Sequence, residues 1–466
     1  MRSTNFFKIS LTLGVASMMW SSVLGAATAT TSVSSANQKG PTLSITGALM
    51  FNSYFGNQKN KNTLYYEKDS DARYAQTNGI KVESRQDGNA SQAFALDNAK
   101  IAFQIKDKID FATFHEWFLS MMLSGDRSAK TYRIVPQVYL ALFSKFATVH
   151  LGNYIGVEDL MAYGGGMLMG ASGGFASSGH RNFVNITTGA YPKIELAGDS
   201  DDATKMTLIS PRLWGFQAGV SYSPDTGRLG RRNRNDVSPL STSDIMYNKN
   251  FWAFGLNFME FLATDIRVAL SATAVTGTPY ALSKDGRPGH ENELVKFYRT
   301  QGVAVGGVVY WGDFAIGSEY GWQGKTGQFK GTNVATPAYP DGTRRPSLTY
   351  VGSNAQGPRF VDVAISYFFD PDVKGVLGYY YSWRKTGFSD ANVAHKATAS
   401  IWNASLTYQA CPGLEVYVEG FLHNTKNPSA AYEAQNRLMY VDNLKKFDAV
   451  ENQKAQTILV GTKVSF

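Results

Sequence analysis

Hydrophobic and polar residues alternate with a period of two along most of this chain. In 98–106, Ala99, Ile101, Phe103 and Ile105 fall on one side and Lys100, Gln104 and Lys106 on the other. In 359–369, Val361, Val363, Ile365, Tyr367 and Phe369 oppose Asp362 and Ser366. In 414–422, Val416 and Val418 oppose Glu415 and Glu419, and in 265–275 Ile266, Val268 and Leu270 oppose Arg267. The final stretch, QTILVGTKVSF, places Ile458, Val460, Thr462, Val464 and Phe466 on one face. Period two is the signature of a strand with two unlike faces.

Segments of this kind predict strands at 43–54, 98–106, 253–261, 265–275, 302–311, 314–322, 359–369, 374–383, 400–409 and 414–422. Weaker patterns extend the series to 111–122, 131–143, 146–152, 203–210 and 215–222. Most are near the roughly ten residues that a tilted strand needs to cross a bilayer. A β-sandwich also alternates, so periodicity alone leaves sandwich and barrel open. The connections discriminate. Short links at 106–110, 144–146, 210–215, 260–265, 311–313, 370–374 and 411–413 alternate with long polar ones. The long ones are 55–97, 123–130, 153–202, 223–250, 276–301, 323–358, 384–399 and 423–455. Tight turns at one end and long loops at the other predict an all-β, 16-stranded antiparallel transmembrane β-barrel. Its short turns are expected to be periplasmic and its long loops extracellular. Closure removes the sheet edges that hydrocarbon cannot satisfy.

Composition supports a wall that is apolar outside and polar inside. The chain has 45 Gly, 25 Tyr, 28 Phe and 8 Trp, with a mean hydropathy below zero. Aromatics near strand ends (Tyr54 and Phe55, Tyr310 and Trp311, Tyr320 and Trp322, Phe368 and Phe369, Tyr381 and Trp383) suit interfacial girdles. Arg2 and Lys8 precede a short apolar core and small residues, so 1–29 reads as a secretory signal peptide, cleaved after 25, 26 or 29. Ala26 stands where a lipoprotein would need Cys. Residues 30–42 are then a short periplasmic segment and 43–466 the barrel. Later segments offer no run of about 20 apolar residues for a spanning helix. Without the signal the formal charge falls from +8 to +6, as Arg2 and Lys8 leave with no acid. That excess suits an anionic membrane surface or anionic solutes. No nucleic-acid motif accompanies it. One cysteine, Cys411, allows no internal disulfide.

Catalytic chemistry finds little support. The six histidines (115, 150, 180, 290, 395 and 423) lack metal spacing and no Gly-x-Ser-x-Gly is present. His115 or His150 beside a Ser, as in a barrel phospholipase, is an outside alternative. No metal ligand set and no cofactor motif is found. Four arginines in GRLGRRNRND (227–236) fit either lipopolysaccharide phosphates or a solvated loop tip.

The stretch TKMTLISPRLWGFQAGVSYSPDTG (204–227) resembles the sixth-to-seventh strand hairpin of Gram-negative general porins, especially the alphaproteobacterial type. GNYIGVEDLMAYGGG (152–166) after a strand, the strand count and the final Phe agree with it. The resemblance covers essentially the whole mature chain. It implies an outer-membrane homotrimer of water-filled channels for passive diffusion of small hydrophilic solutes and ions, with no enzymatic activity. It implies that 153–202 folds inward as a constriction loop, its acidic side supplied by Glu158 and Asp159, with Glu195, Asp199, Asp201 and Asp202 further on. This loop lacks the Pro-Glu-Phe-Gly-Gly run of the enterobacterial branch. By parity the basic wall side falls to Lys100, Arg133 and Lys205, with Arg267 and Arg384 as further lumen candidates. Phe466 is implied to be the signal read by the barrel-assembly machinery. Membrane lipid and lipopolysaccharide complete the expected partners. A substrate-selective channel, or an adhesin built on a barrel, are the competing readings.

Overall fold

A computed structural model describes residues 42–66, 81–109, 113–123, 137–176, 200, 203–226, 246–281, 298–326, 333–334, 348–349, 356–386, 395–426 and 446–466. The expected signal peptide, the 30–41 segment, Arg133, the arginine-rich 227–236 and the acids Glu195, Asp199, Asp201 and Asp202 lie outside the described residues. The chain enters as β1 (Thr42–Tyr66) and β2 (Lys81–Ile109), followed by β3 (Thr113–Leu123), β4 (Gln137–Phe143) and β5 (Thr148–Asn153). A one-turn helix, α1 (Val157–Leu160), and two 3-10 turns, Gly165–Leu168 and Gly174–Ala176, precede β6 (Thr204–Ile209). Then come β7 (Phe216–Asp225), β8 (Met246–Phe261), β9 (Ile266–Ala281), β10 (Thr300–Trp311) and β11 (Phe314–Trp322). A two-residue ladder of β12 (Asn333–Val334) with β13 (Leu348–Thr349) interrupts the series. The last strands are β14 (Gln356–Asp370), β15 (Val373–Thr386), β16 (His395–Cys411), β17 (Leu414–Lys426) and β18 (Lys446–Ser465).

All strands outside the small ladder belong to one antiparallel sheet, in which each pairs with its neighbour in sequence. The order returns on itself as a closed barrel, because β1 pairs with β2 on one side and with β18 on the other. The seam is in register, with Ala48 opposite Ser465 and Leu49 opposite Val464. Beyond the last strand residue, Phe466 N–H donates to the Gly47 carbonyl at 3.0 Å and Gly47 N–H donates back at 2.7 Å. A Cβ on Gly47 would run into the Phe466 ring, so glycine lets that ring lie across β1.

The two faces of the sheet are chemically inverted relative to a soluble protein. Ile458, Val460, Val464 and Phe466 face outward and exposed, while Leu459, Lys463 and Ser465 between them are buried. The same alternation exposes Val416, Val418 and Leu422 while burying Tyr417, Glu419, Phe421 and His423. An exposed, continuous belt of Ile, Val, Leu and Phe needs hydrocarbon around it, since each buried or lipid-covered side chain gains about 1.5–3 kcal/mol over water. Among the described residues no helix is long and apolar enough to cross a membrane.

Two expectations are corrected here. The segments 55–97 and 423–455 are not loops throughout: β1 and β2 continue to Tyr66 and from Lys81, while β17 and β18 reach Lys426 and start at Lys446. Their ladders pair residue by residue past Phe55. Backbone pairing is as well satisfied above a membrane as within it, so only the apolar face ends at the bilayer edge. The girdle also excludes Tyr54 and half-buried Tyr310, which point inward. Adjacent strand residues face opposite ways, so Tyr54 and Tyr310 turn inward where Phe55 and Trp311 turn out.

Phe466→Lys keeps the backbone bonds of the seam but puts a charge where the ring crosses β1. It should lower the yield of heat-shifted barrel on refolding into detergent micelles several-fold, read by gel mobility with and without boiling. A parental yield would show that the ring is dispensable to closure.

Candidate functional site

Inward-facing positions of β7 to β17 carry small residues, a few aromatics and isolated polar groups. The segment after β5 lies along them. Its first turn, α1, buries Val157 and Met161 against Phe251, Ala253 and Val275. Met161 sits over Gly219 and Gly255, where any side chain would overlap its sulfur. Further on, Tyr163, Leu168, Met169 and Phe175 join a cluster with Phe360, Val376, Tyr380 and Ile401 of the wall. The Phe175 and Tyr380 rings are 5.8 Å apart. Gly306 and Gly317 let the backbone of Tyr163 and Gly164 approach the sheet closely; a Cβ on either would strike a carbonyl oxygen of the segment.

Polar side chains of the wall fix this path by accepting backbone N–H groups, which an irregular segment would otherwise bury unpaired. Val157 N–H donates to Ser221 Oγ at 3.0 Å and Tyr163 N–H to Ser271 Oγ at 2.7 Å. Gly165 N–H donates to Asp362 Oδ1 at 2.8 Å. Ser172 N–H donates to Glu419 Oε1 at 2.9 Å, and its hydroxyl to Oε2 at 2.5 Å. The acceptors come from β7, β9, β14 and β17 in turn. The segment therefore runs around the inner wall rather than out of the barrel.

The expected acids and bases fall in different places. Glu158 is fully buried, and its Oε1 accepts from the Ser200 N–H at 2.9 Å and the Ser200 hydroxyl at 2.5 Å. It thus joins the start of the loop to its return. Asp159 is half-buried on α1. Lys205 is buried on β6, opposite Gly152 of β5. Lys100 pairs with Ala48 and Met122 in the ladder, and its side chain lies outside the described residues. His150 packs among the rings of Tyr139, Tyr154 and Phe143. Among the described residues no group of three or more His, Cys, Asp or Glu could hold a metal ion.

Sequence reasoning missed the wall acceptors as a set. In the sequence Asp362 and Glu419 are only the polar partners of an alternating pattern, and Ser221 and Ser271 carry no signal beyond inward parity. It also left Arg212 unassigned. This guanidinium donates to the Gly215 carbonyl at 2.6 Å, to Gln217 Oε1 at 3.1 Å and to Asn257 Oδ1 at 3.0 Å.

Comparison with known proteins adds independent findings. Residues 22–428 match a family model described as Gram-negative porin. An uncharacterized protein of Rickettsia bellii is 22% identical over 398 residues, covering 75% of this chain and 80% of that one. A loop-deletion mutant of OmpT, an outer membrane protein of Vibrio cholerae, has a TM-score of 0.51 at 12% identity, covering 91% of this chain and 99% of that one. OmpF of Salmonella typhi, in complex with daunomycin, has a TM-score of 0.50 at 14% identity, covering 92% and 98%. The outer membrane channel DcaP of Acinetobacter baumannii has 0.50 at 11%, covering 92% and 99%. At such identities the structural likeness speaks for the fold alone.

Replacing both wall carboxylates (Asp362→Ala with Glu419→Ala) strips acceptors from the Gly165 and Ser172 amides. A buried donor left unpaired costs about 1–3 kcal/mol, so both amides should exchange with deuterium roughly five- to a hundredfold faster. Protection unchanged at both would mean that something else holds the segment.

Proposed function

The chain belongs to the Gram-negative porin family, outer-membrane proteins that form channels for passive diffusion, and on that premise we propose how this barrel conducts. Solutes cross through the water-filled lumen that the 154–176 segment narrows from one side. The observation that carries this reading is the inversion of the sheet: apolar residues on the outer face, and a polar, loop-lined inner face.

In this reading sixteen strands cross the membrane, with the short turns periplasmic and the long connections extracellular. The signal peptide 1–29 directs export, and the barrel-assembly machinery reads Phe466. The channel works as a homotrimer set among outer-membrane lipid and lipopolysaccharide. It carries small hydrophilic solutes and ions, and catalyses nothing. Charge in a narrow neck bounded by low-dielectric walls sorts solutes by sign. Asp159 supplies the loop side of that field, and Lys100, Arg133 and Lys205 supply the wall side. Glu158 acts differently from Asp159, since its carboxylate is engaged by Ser200. It fastens the loop and so fixes where the neck lies.

The purified, refolded protein in planar bilayers should give discrete open-channel steps. Deleting 167–173, the part of the segment that carries Leu168 and Met169, should raise the step by widening the neck. A protein that assembles in the bilayer without conducting would contradict the channel. Orientation has its own check. Cys411 is free and exposed at the turn between β16 and β17, so an impermeant thiol reagent should label it only after the outer membrane is opened. Labelling on intact cells would reverse the topology.

A further inference from the structure

Exposed charge divides between the two ends of the barrel. Among the described residues, the exposed charged side chains at the short-turn end are Lys145 and the acids Glu260, Asp265, Asp313, Asp370 and Asp372. Those at the end of the long connections are cations: Arg299, Lys385, Lys396, Lys426 and Lys454. The outer face of β14 to β17 concentrates them. Half-buried Arg359 stands near the start of β14, Lys385 near the end of β15, Lys396 near the start of β16 and Lys426 at the end of β17. Each shares its strand's outward parity with an exposed apolar residue: Val363, Leu377, Trp402 and Leu422, in the same order.

Ladder pairing brings these cations together. Arg359 lies opposite Trp383 of β15, Trp383 opposite Thr398 of β16, and Thr398 opposite Lys426 of β17. Nearer the strand ends, Lys385 and Lys396 face each other directly. Like charges so placed on one sheet face destabilise it, and neither lysine meets a carboxylate among the described residues. Rings steady Lys396 instead. Its Nζ lies 5.5 Å from the Trp383 centroid and 5.7 Å from that of Tyr381, and those two rings are 5.4 Å apart. Tyr and Trp of this kind mark the boundary between hydrocarbon and water. The cations therefore stand at headgroup level, with Val363, Leu377, Trp402 and Leu422 offering apolar contact beneath them.

A repulsive pair at headgroup level has a ready complement in an anion presented by the membrane itself. From β14 to β17 the cations spread over about 14 Å at the usual strand spacing, wider than one phosphate reaches. We propose that this face docks a glycolipid whose broad headgroup carries more than one phosphate. Its acyl chains lie along the apolar band, and its phosphates bridge Arg359, Lys385, Lys396 and Lys426. Guanidinium and ammonium groups are strong donors to such oxygens. Bulk lipid surrounds every strand, whereas this lipid is held at one place. Its leaflet rests on the orientation proposed above, with the long connections outside; its binding chemistry does not.

Native mass spectrometry of the detergent-solubilised protein with added diphosphoryl lipid A reads the occupancy. The parent should hold diphosphoryl lipid A several-fold more tightly than monophosphoryl lipid A or cardiolipin. Lys385→Gln with Lys396→Gln should raise the half-saturating concentration several-fold, and Arg359→Gln should raise it by less. In lipid-free detergent the double variant should unfold no earlier than the parent on heating, because the repulsion is gone. Added diphosphoryl lipid A should raise the parent's transition and hardly move the variant's. Equal binding of the two lipid A forms, tighter binding of cardiolipin, or one half-saturating concentration for parent and double variant would overturn the docking surface. These measurements involve neither current nor orientation, so such a failure leaves the channel standing. A protein that binds lipid A through these lysines yet carries no current would keep the surface and remove the channel.

Discussion

Backbone N–H groups of one irregular segment, each accepted by a side chain of the inner wall, hold the interior of this protein in place. A chain that is neither helix nor strand must place its donors somewhere, and inside a barrel bulk water is not everywhere at hand. Ser221, Ser271, Asp362 and Glu419 take them in sequence from β7 to β17. Glycines on both partners bring the two backbones close enough for those bonds to form. Loss of one acceptor leaves a buried donor unpaired, whereas loss of one apolar contact leaves a small void. The polar contacts therefore set the path, and Met161, Met169 and Phe175 fill in around it.

The outer architecture was legible because it obeys one rule. Period-two patterning fixes which residues face lipid, and the alternation of short and long links fixes how strands succeed one another. Ile458, Val460 and Val464 could be assigned outward from the sequence, and the structure exposes them. Where the rule was applied to neighbours in pairs it failed, since Tyr54 and Tyr310 cannot share a face with Phe55 and Trp311. Strand ends were harder for a physical reason. Ladder hydrogen bonds need no apolar side chain, so β1 and β2 extend through polar sequence that carries no lipid signal.

The interior was much less legible. Asp362 and Glu419 look like any inward charge until the segment they hold is placed against them, 197 and 247 residues away in sequence. Glu158 stands beside Asp159 and shares its charge, yet one fastens Ser200 and the other remains half-buried on the helix turn. Helical geometry sends adjacent side chains about 100° apart, so adjacency predicted nothing about shared role. Arg212 sits in a short link between strands, where period-two parity assigns no face. Its bonds to the side chains of Gln217 and Asn257 become visible only once β7 and β8 are paired.

Asp362 and Glu419 hold the segment through its amides, and the proposed channel needs the held segment to shape its conducting path. Single-channel recording of Asp362→Ala with Glu419→Ala tests it most directly. Parental assembly is expected, with frequent brief closures and a broadened open-channel current as the released segment moves in the lumen. A record as quiet as the parent's, at the same step size, would contradict it.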